Sequence, residues 1–203
     1  ISKDVFFPKN RVEKKEPANK IVFFMLAGWS SPNKKPMLAV EAFYEVCQQF
    51  NNLQLRIGGI GEQLTEVKKF LQKYPEVLEK VIFLGDILEP QKVSEEMQVA
   101  DAFIHPTSLE TFSIVCAEAL FCNTPVIASN VPPIPTFVKE KNGILIENTI
   151  EAWKAGLLSF MLSPDKFISK DIGKDARSRF SQEAVSFKMK ESFDIIIKNG
   201  KIQ

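Results

Sequence analysis

The sequence predicts an α/β fold, a Rossmann-like three-layer α/β/α domain with a parallel sheet of about six strands. Three observations predict it. Six apolar runs short enough to be buried strands recur along the chain, segments of helical periodicity fall between them, and 203 residues suffice for one such domain with a sizeable core. Strands that alternate with helices in this way form a parallel sheet covered on both faces.

Taken in order, residues 1 to 20 carry Phe6 and Phe7 and then a charged stretch from Lys9 to Lys20; Pro8 to Asn19 reads as a linker. The predicted strands are Ile21 to Ala27, Leu53 to Ile57, Val81 to Leu84, Ala102 to Ile104, Pro125 to Ala128 and Gly143 to Ile146. The predicted helices are Pro36 to Asn51, Glu62 to Tyr74, Pro90 to Ala100, Phe112 to Phe121, Thr149 to Leu162, Pro164 to Arg179 and Gln182 to Asn199. Residues 21–180 are thus the sheet domain, and 181–203 a closing helical segment. The chain opens without a methionine and reads as a piece of a longer protein. In a sheet of this class ligands bind beyond the carboxyl ends of the strands, where the strand order reverses. The loops that matter are therefore 28–35, 58–62, 85–89, 105–111 and 129–136.

Composition excludes several function classes. Lys and Arg total 26 against 25 Asp and Glu, so no global field draws the chain to nucleic acid or anionic lipid. No apolar run reaches the roughly 20 residues that span a bilayer, and the start lacks a signal-peptide pattern. Cys47, Cys116 and Cys122 form no Cys-x-x-Cys pair and sit in apolar helical contexts, which reads as buried, reduced thiols in a cytoplasmic protein.

The richest stretch runs from His105-Pro106-Thr107 through Glu110-Thr111-Phe112-Ser113 to Glu118-Ala119-Leu120. Glu110 stands before an apolar helix and Glu118 inside it. The amides of Thr111, Phe112 and Ser113 would lie at the helix N-terminus, where unpaired donors and the helix dipole favour phosphate. Amides for phosphate and two carboxylates for hydroxyls suit a sugar joined to a nucleoside diphosphate. As a glycosidase pair the two glutamates are too far apart: two helical turns span about 11 Å, beyond the roughly 5 to 9.5 Å that flanks one glycosidic bond. The bland reading, two solvated helix acids, fits poorly with Glu118 among Val115, Cys116, Ala117, Ala119 and Leu120.

Other candidates follow the strands. Gly58-Gly59-Ile60-Gly61 is a glycine turn, though Leu64 holds the place of the third glycine in a dinucleotide fingerprint counted from Gly59. Gly28 opens the loop that ends in Lys34 and Lys35, and Lys34 is placed to meet a diphosphate as a point charge. His105, the single histidine, ends a strand; it lines the site more readily than it acts as base or metal ligand.

At these residues the chain resembles the C-terminal, donor-binding lobe of a GT-B glycosyltransferase of the retaining group often called family 4. The segment from Glu110 to Glu118 is similar to the family's Glu-x7-Glu segment. Asn123-Thr124-Pro125-Val126-Ile127-Ala128-Ser129 and Lys141-Asn142-Gly143-Ile144-Leu145-Ile146 resemble the strands that follow it. The resemblance implies that Glu118 accepts ribose hydroxyls, Glu110 accepts hydroxyls of the transferred sugar, and Lys34 meets the diphosphate. It further implies that the backbone around Asp86 and Ile87 meets the base, and that no metal or other cofactor is required. Ile1 to Pro8 would link the two lobes, and the closing helix would run back to an N-terminal lobe that holds a glycan or lipid-linked acceptor. The whole enzyme would work in polysaccharide biosynthesis in the cytoplasm, or peripherally at the inner membrane surface. Two positions depart from the family pattern: Trp29 replaces an arginine five residues before Lys34, and Pro132-Pro133-Ile134-Pro135-Thr136 replaces a Gly-Gly-x-Pro-Glu turn. Both motivate a second reading, a non-catalytic lobe with a degenerate site. A nucleotide-sugar epimerase fits less well, because epimerases of this architecture lack the glutamate segment.

Overall fold

The computed structural model describes residues 1–8, 20–167 and 172–200, the side chains of 199 and 200 excepted. The linker predicted between Pro8 and Asn19 and the last three residues lie outside the described residues. Six strands, β1 (Ile21–Leu26), β2 (Leu53–Gly58), β3 (Val81–Gly85), β4 (Ala102–His105), β5 (Val126–Ser129) and β6 (Gly143–Ile146), pair in parallel in the order β3-β2-β1-β4-β5-β6. The order reverses between β1 and β4, and that switch point places the candidate site.

The helices are α1 (Pro36–Cys47), α2 (Gln63–Leu71), α3 (Pro75–Leu78), α4 (Pro90–Val99), α5 (Ile114–Phe121), α6 (Ile150–Leu162), α7 (Lys174–Phe180) and α8 (Gln182–Gly200). Helix α1 packs on α2 and α6, while α5 packs on α4 and α7, so helices cover both faces of the sheet. Strand β1 explains why: successive side chains alternate faces, and both kinds are apolar. Phe23 meets Phe43 of α1 at 6.4 Å and Phe160 of α6 at 5.7 Å, whereas Phe24 meets Phe103 of β4 at 5.6 Å.

Every predicted strand agrees with an observed one to within a residue at either end. The helices needed more correction: α1 ends at Cys47, four residues before the predicted Asn51, and α2 at Leu71, three before the predicted Tyr74. Helix α5 begins at Ile114, two residues later than predicted, because Ser113 takes a left-handed conformation (φ 68°, ψ 64°) that no helix continues through. Phe112 instead packs against Phe180 and Phe137, at 5.0 and 5.5 Å, so its apolar character belongs to a tertiary cluster. The single helix predicted from Pro164 to Arg179 is a 3₁₀ turn, Pro164–Phe167, and the separate α7; residues 168–171 lie outside the described residues. The four-residue α3 was not foreseen.

The first residues of the chain meet the start of α8. The Ile1 N–H donates to the Phe180 carbonyl at 2.9 Å, Gln182 N–H donates to the Ile1 carbonyl at 3.2 Å, and Lys3 pairs with Glu183 at 3.0 Å. Beyond that point Val185, Met189, Phe193, Ile196 and Ile197 are exposed on one stripe of α8.

Candidate functional site

Two loops meet across the switch point. Lys35 N–H donates to the Pro106 carbonyl at 3.0 Å and Ser108 N–H to the Asn33 carbonyl at 2.8 Å, an antiparallel bridge that pairs Lys34 with Thr107. This bridge carries Lys34 to the end of β4, 71 residues away in sequence from His105. The Lys34 ammonium then ion-pairs with Glu110 Oε1, and His105 Nε2 lies 2.7 Å from the same oxygen. Burial alone would raise the Glu110 carboxyl, but hydrogen bonds and charge from its two partners outweigh burial and hold it well below the usual carboxylate range. Burial pushes His105 the other way, so its ring is neutral at pH 7.

A polar relay, buried at Thr107 and Ser129 and exposed at Asn148, braces the loop. Thr107 N–H donates to Ser129 Oγ at 2.9 Å, Ser129 Oγ donates to Asn148 Oδ1 at 2.6 Å, and Asn148 Nδ2 returns a bond to the Thr107 carbonyl at 2.9 Å. Sequence reasoning missed Thr107, Ser129 and Asn148 in this role. The available signal was modest: a hydroxyl at the end of β4 and another at the end of β5, adjacent strands whose roles follow only from strand order.

The helix that follows offers its N-terminus to the same crevice, with Ser113 as its cap residue. The expected amides of Thr111 and Phe112 precede the helix, so the amides of its first turn are those of Ile114 and Val115, with Ser113 beside them. Thr111 is exposed and Ser113 is buried, its hydroxyl 3.1 Å from Cys116 Sγ. Glu118 sits one turn further along α5, half-buried; burial pushes its carboxyl up to about 7.

The glycine turn has a structural explanation. Trp29 is 1% exposed, its indole N–H donates to the Gly58 carbonyl at 2.8 Å, and its backbone bonds Ile60 and Gln63. A Cβ on Gly59 (φ 95°) would stand 2.0 Å from the Ala27 carbonyl oxygen, and one on Gly61 would stand 2.2 Å from the Trp29 carbonyl carbon. These glycines admit the neighbouring loop, and Trp29 is a pillar between the loops rather than a residue facing the crevice. Gly28 has open space around it, and Asp86 is exposed at the end of β3. Ile87 Cδ1 packs against Gly58, 2.8 Å from where a Cβ would stand. Asp86 and Ile87 thus lie to the β2–β3 side, away from the Lys34–Glu110 cluster. In place of the family's glycine-rich turn, Ile134–Thr136 forms a 3₁₀ turn with Ile134 buried.

All three cysteines are buried free thiols. Among the described residues no group of three or more His, Cys, Asp or Glu side chains is placed to hold a metal ion, and no helix is long and apolar enough to cross a membrane.

A parallel sheet in this order, with a lysine, a carboxylate and a helix N-terminus at its switch point, has the architecture of one lobe of the GT-B class. The chain belongs to the family described as Glycosyl transferases group 1, whose sequence profile matches residues 6–184. It is 24% identical over 190 residues to a D-inositol 3-phosphate glycosyltransferase of Segniliparus rotundus, covering 91% of this chain and 42% of that protein. Sucrose-phosphate synthase of Thermosynechococcus elongatus superposes with a TM-score of 0.78 at 20% identity, covering 98% of this chain and 51% of that one. Anabaena Alr3699/HepE in complex with UDP and glucose superposes at 0.74 and 18% identity, covering 96% and 55%. These two likenesses establish the fold. The chain spans 42% of the length of the relative and about half of each solved structure.

Proposed function

We propose that this chain is the donor-binding domain of a retaining glycosyltransferase that moves a sugar from a nucleotide-diphosphate sugar to a glycan or lipid-linked acceptor. The observation that carries the reading is the convergence of Lys34, His105 and Glu110 beside the α5 N-terminus at the switch point. Membership of the glycosyltransferase family and a structural neighbour in complex with UDP and glucose support it.

In this reading Lys34 and the amides of Ser113, Ile114 and Val115 neutralise the diphosphate as it departs, which is electrostatic work that needs no metal. Glu110 accepts hydroxyls of the transferred sugar and Glu118 those of the ribose, while the backbone around Asp86 and Ile87 meets the base beside Gly28 and Gly59. Residues 1–8 link to an N-terminal lobe that binds the acceptor, and the apolar stripe of α8 docks on that lobe. Closure of two lobes brings the reacting groups together, so the chain by itself binds donor and transfers little. The whole enzyme acts in polysaccharide biosynthesis in the cytoplasm or at the inner membrane surface.

One observation favours a second reading, an interaction lobe without chemistry: Trp29 is uncharged and buried where the family carries an arginine. Calorimetric titration with UDP, GDP, ADP and their sugar conjugates, with and without magnesium, separates the two. Saturable, metal-independent binding of one nucleotide class is the expected result. A folded chain that binds none of them belongs to the second reading.

A further inference from the structure

We propose that His105 is a positioning residue for Glu110: its Nε2–H, together with Lys34, fixes carboxylate oxygen Oε1, so that Oε2 is the oxygen presented to a hydroxyl of the transferred sugar. The inference rests on the donor-domain reading above and assigns the sugar-facing atom within it.

The hydrogen-bond chemistry leaves one arrangement. Both contacts to Glu110, from Lys34 Nζ and from His105 Nε2, fall on Oε1. A carboxylate only accepts and an ammonium only donates. If Nε2 carried a lone pair, it would face the Oε1 lone pairs at 2.7 Å with no proton between them. The proton therefore sits on Nε2, and the 3.4 Å between Lys34 Nζ and His105 Nε2 separates two donors aimed at one acceptor. With Nε2 committed as a donor, His105 cannot take a proton there, so it is no general base at that atom. Oε1 is saturated, which leaves Oε2 for substrate.

The imidazole is itself held independently of Glu110. His105 is the last residue of β4 and pairs with Ala128 of β5, it is 1% exposed, and its ring stacks on Phe103 at 6.0 Å between centroids. A ring fixed by the sheet can orient a loop carboxylate, whereas Glu110, outside any strand or helix, has little else to fix it. Lys34 faces Glu110 from the loop after β1 and His105 from β4. On α5, Cys116 feels the Glu110 charge and stays a neutral thiol, pushed up to about 12 chiefly by burial.

The test uses two variants of the chain. His105→Phe keeps the ring and its stack but loses the donor; His105→Gln restores an N–H of similar reach. Carbon-13 NMR follows the Glu110 carboxyl through an acid titration, and calorimetry compares UDP with UDP-glucose, or GDP with GDP-mannose where the nucleotide screen selects guanine. In His105→Phe, Glu110 titrates at higher pH than in the parent chain. The sugar conjugate's affinity falls roughly tenfold while that of the free nucleotide changes by less than about twofold, as expected when one hydrogen bond to a charged group is lost. His105→Gln returns both toward the parent values. The proposal is overturned if Glu110 titrates unchanged in His105→Phe, or if both variants lose nucleotide and conjugate alike, which would mark a purely structural histidine. A parent chain that binds no nucleotide at all refutes the donor-domain reading instead, and the Glu110 titration still decides the role of His105.

Discussion

Replacing Glu118 with glutamine makes the chain more stable and less able to bind nucleotide, and the pH dependence of the gain identifies its cause. Burial holds the Glu118 carboxyl at about 7 in the folded chain, against an ordinary 4.5. A raised acid pKa means that the folded state binds more protons than the unfolded state between those values, so stability falls as pH rises through that window. Below about 4.5 the residue is neutral in both states and carries no penalty; above about 7 the penalty is complete. The difference of about 2.5 units corresponds to ~3 kcal/mol at 1.36 kcal/mol per unit. Because Glu118 is only half-buried, screening reduces this to about 1–2 kcal/mol. Glutamine removes the charge and keeps the shape, so at pH 8 the variant melts roughly 2–8 °C higher, at 2–4 °C per kcal/mol for a chain of this size. Thermal or urea unfolding from pH 4.5 to 8 reads the difference between parent and variant, in which all other titrating groups cancel. The expected curve is near zero at the acid end, rises between 4.5 and 7, and levels off above. A difference that is flat with pH, or a variant less stable at pH 8, refutes the reasoning that an unpaired, desolvated carboxylate sits on α5. Under the proposed function the same variant binds nucleotide at least about tenfold more weakly, through the lost charged acceptor for ribose hydroxyls.

Other perturbations probe the scaffold of the crevice. Ser129→Ala leaves the Thr107 N–H buried without its acceptor, which costs about 1–3 kcal/mol in chemical unfolding; amide exchange in residues 106–110 speeds up if the relay braces that loop. Trp29→Arg restores the family's residue type but puts a guanidinium where a 1%-exposed indole packs. It is expected to destabilise the chain by about 3–5 kcal/mol, as unpaired buried charges do, with no gain in nucleotide affinity; tighter binding by a stable variant contradicts the pillar role. Gly59→Ala combines a φ of 95° with a Cβ 2.0 Å from the Ala27 carbonyl oxygen. A loss of at least about 2 kcal/mol follows from strain and overlap, and an alanine variant that melts with the parent would show that the turn rearranges freely.

The central strands were legible because a parallel strand covered on both faces has no polar side to conceal it. Phe23, Phe24 and Met25 in β1 are all fully buried, as are Phe103 and Ile104 in β4. Helix limits were less legible wherever an apolar residue serves another element: Phe112 looks like a first helical turn and belongs to the cluster with Phe137 and Phe180. Lys34, His105, Glu110 and Glu118 were each visible as residues of the right type in loops after strands or in the following helix. Their contacts were not visible, because the meeting of Lys34 with Glu110 across 76 residues depends on β1 and β4 being neighbours in the sheet. Trp29 was legible only as a missing charge. That it is a buried pillar follows from the approach of the Gly58–Gly61 turn, a tertiary fact with no local signature.

The most direct test of the account is amide chemical-shift mapping of the nitrogen-15-labelled chain titrated with the nucleoside diphosphate that binds best in the calorimetric screen. Saturable shifts are expected, concentrated in residues 28–35, 58–59, 86–87 and 110–118, including the amides of Ser113, Ile114 and Val115, unchanged by magnesium and requiring at least about tenfold more nucleotide in Glu118→Gln. Shifts confined to another face of the domain, or binding that survives Glu118→Gln undiminished, would contradict it.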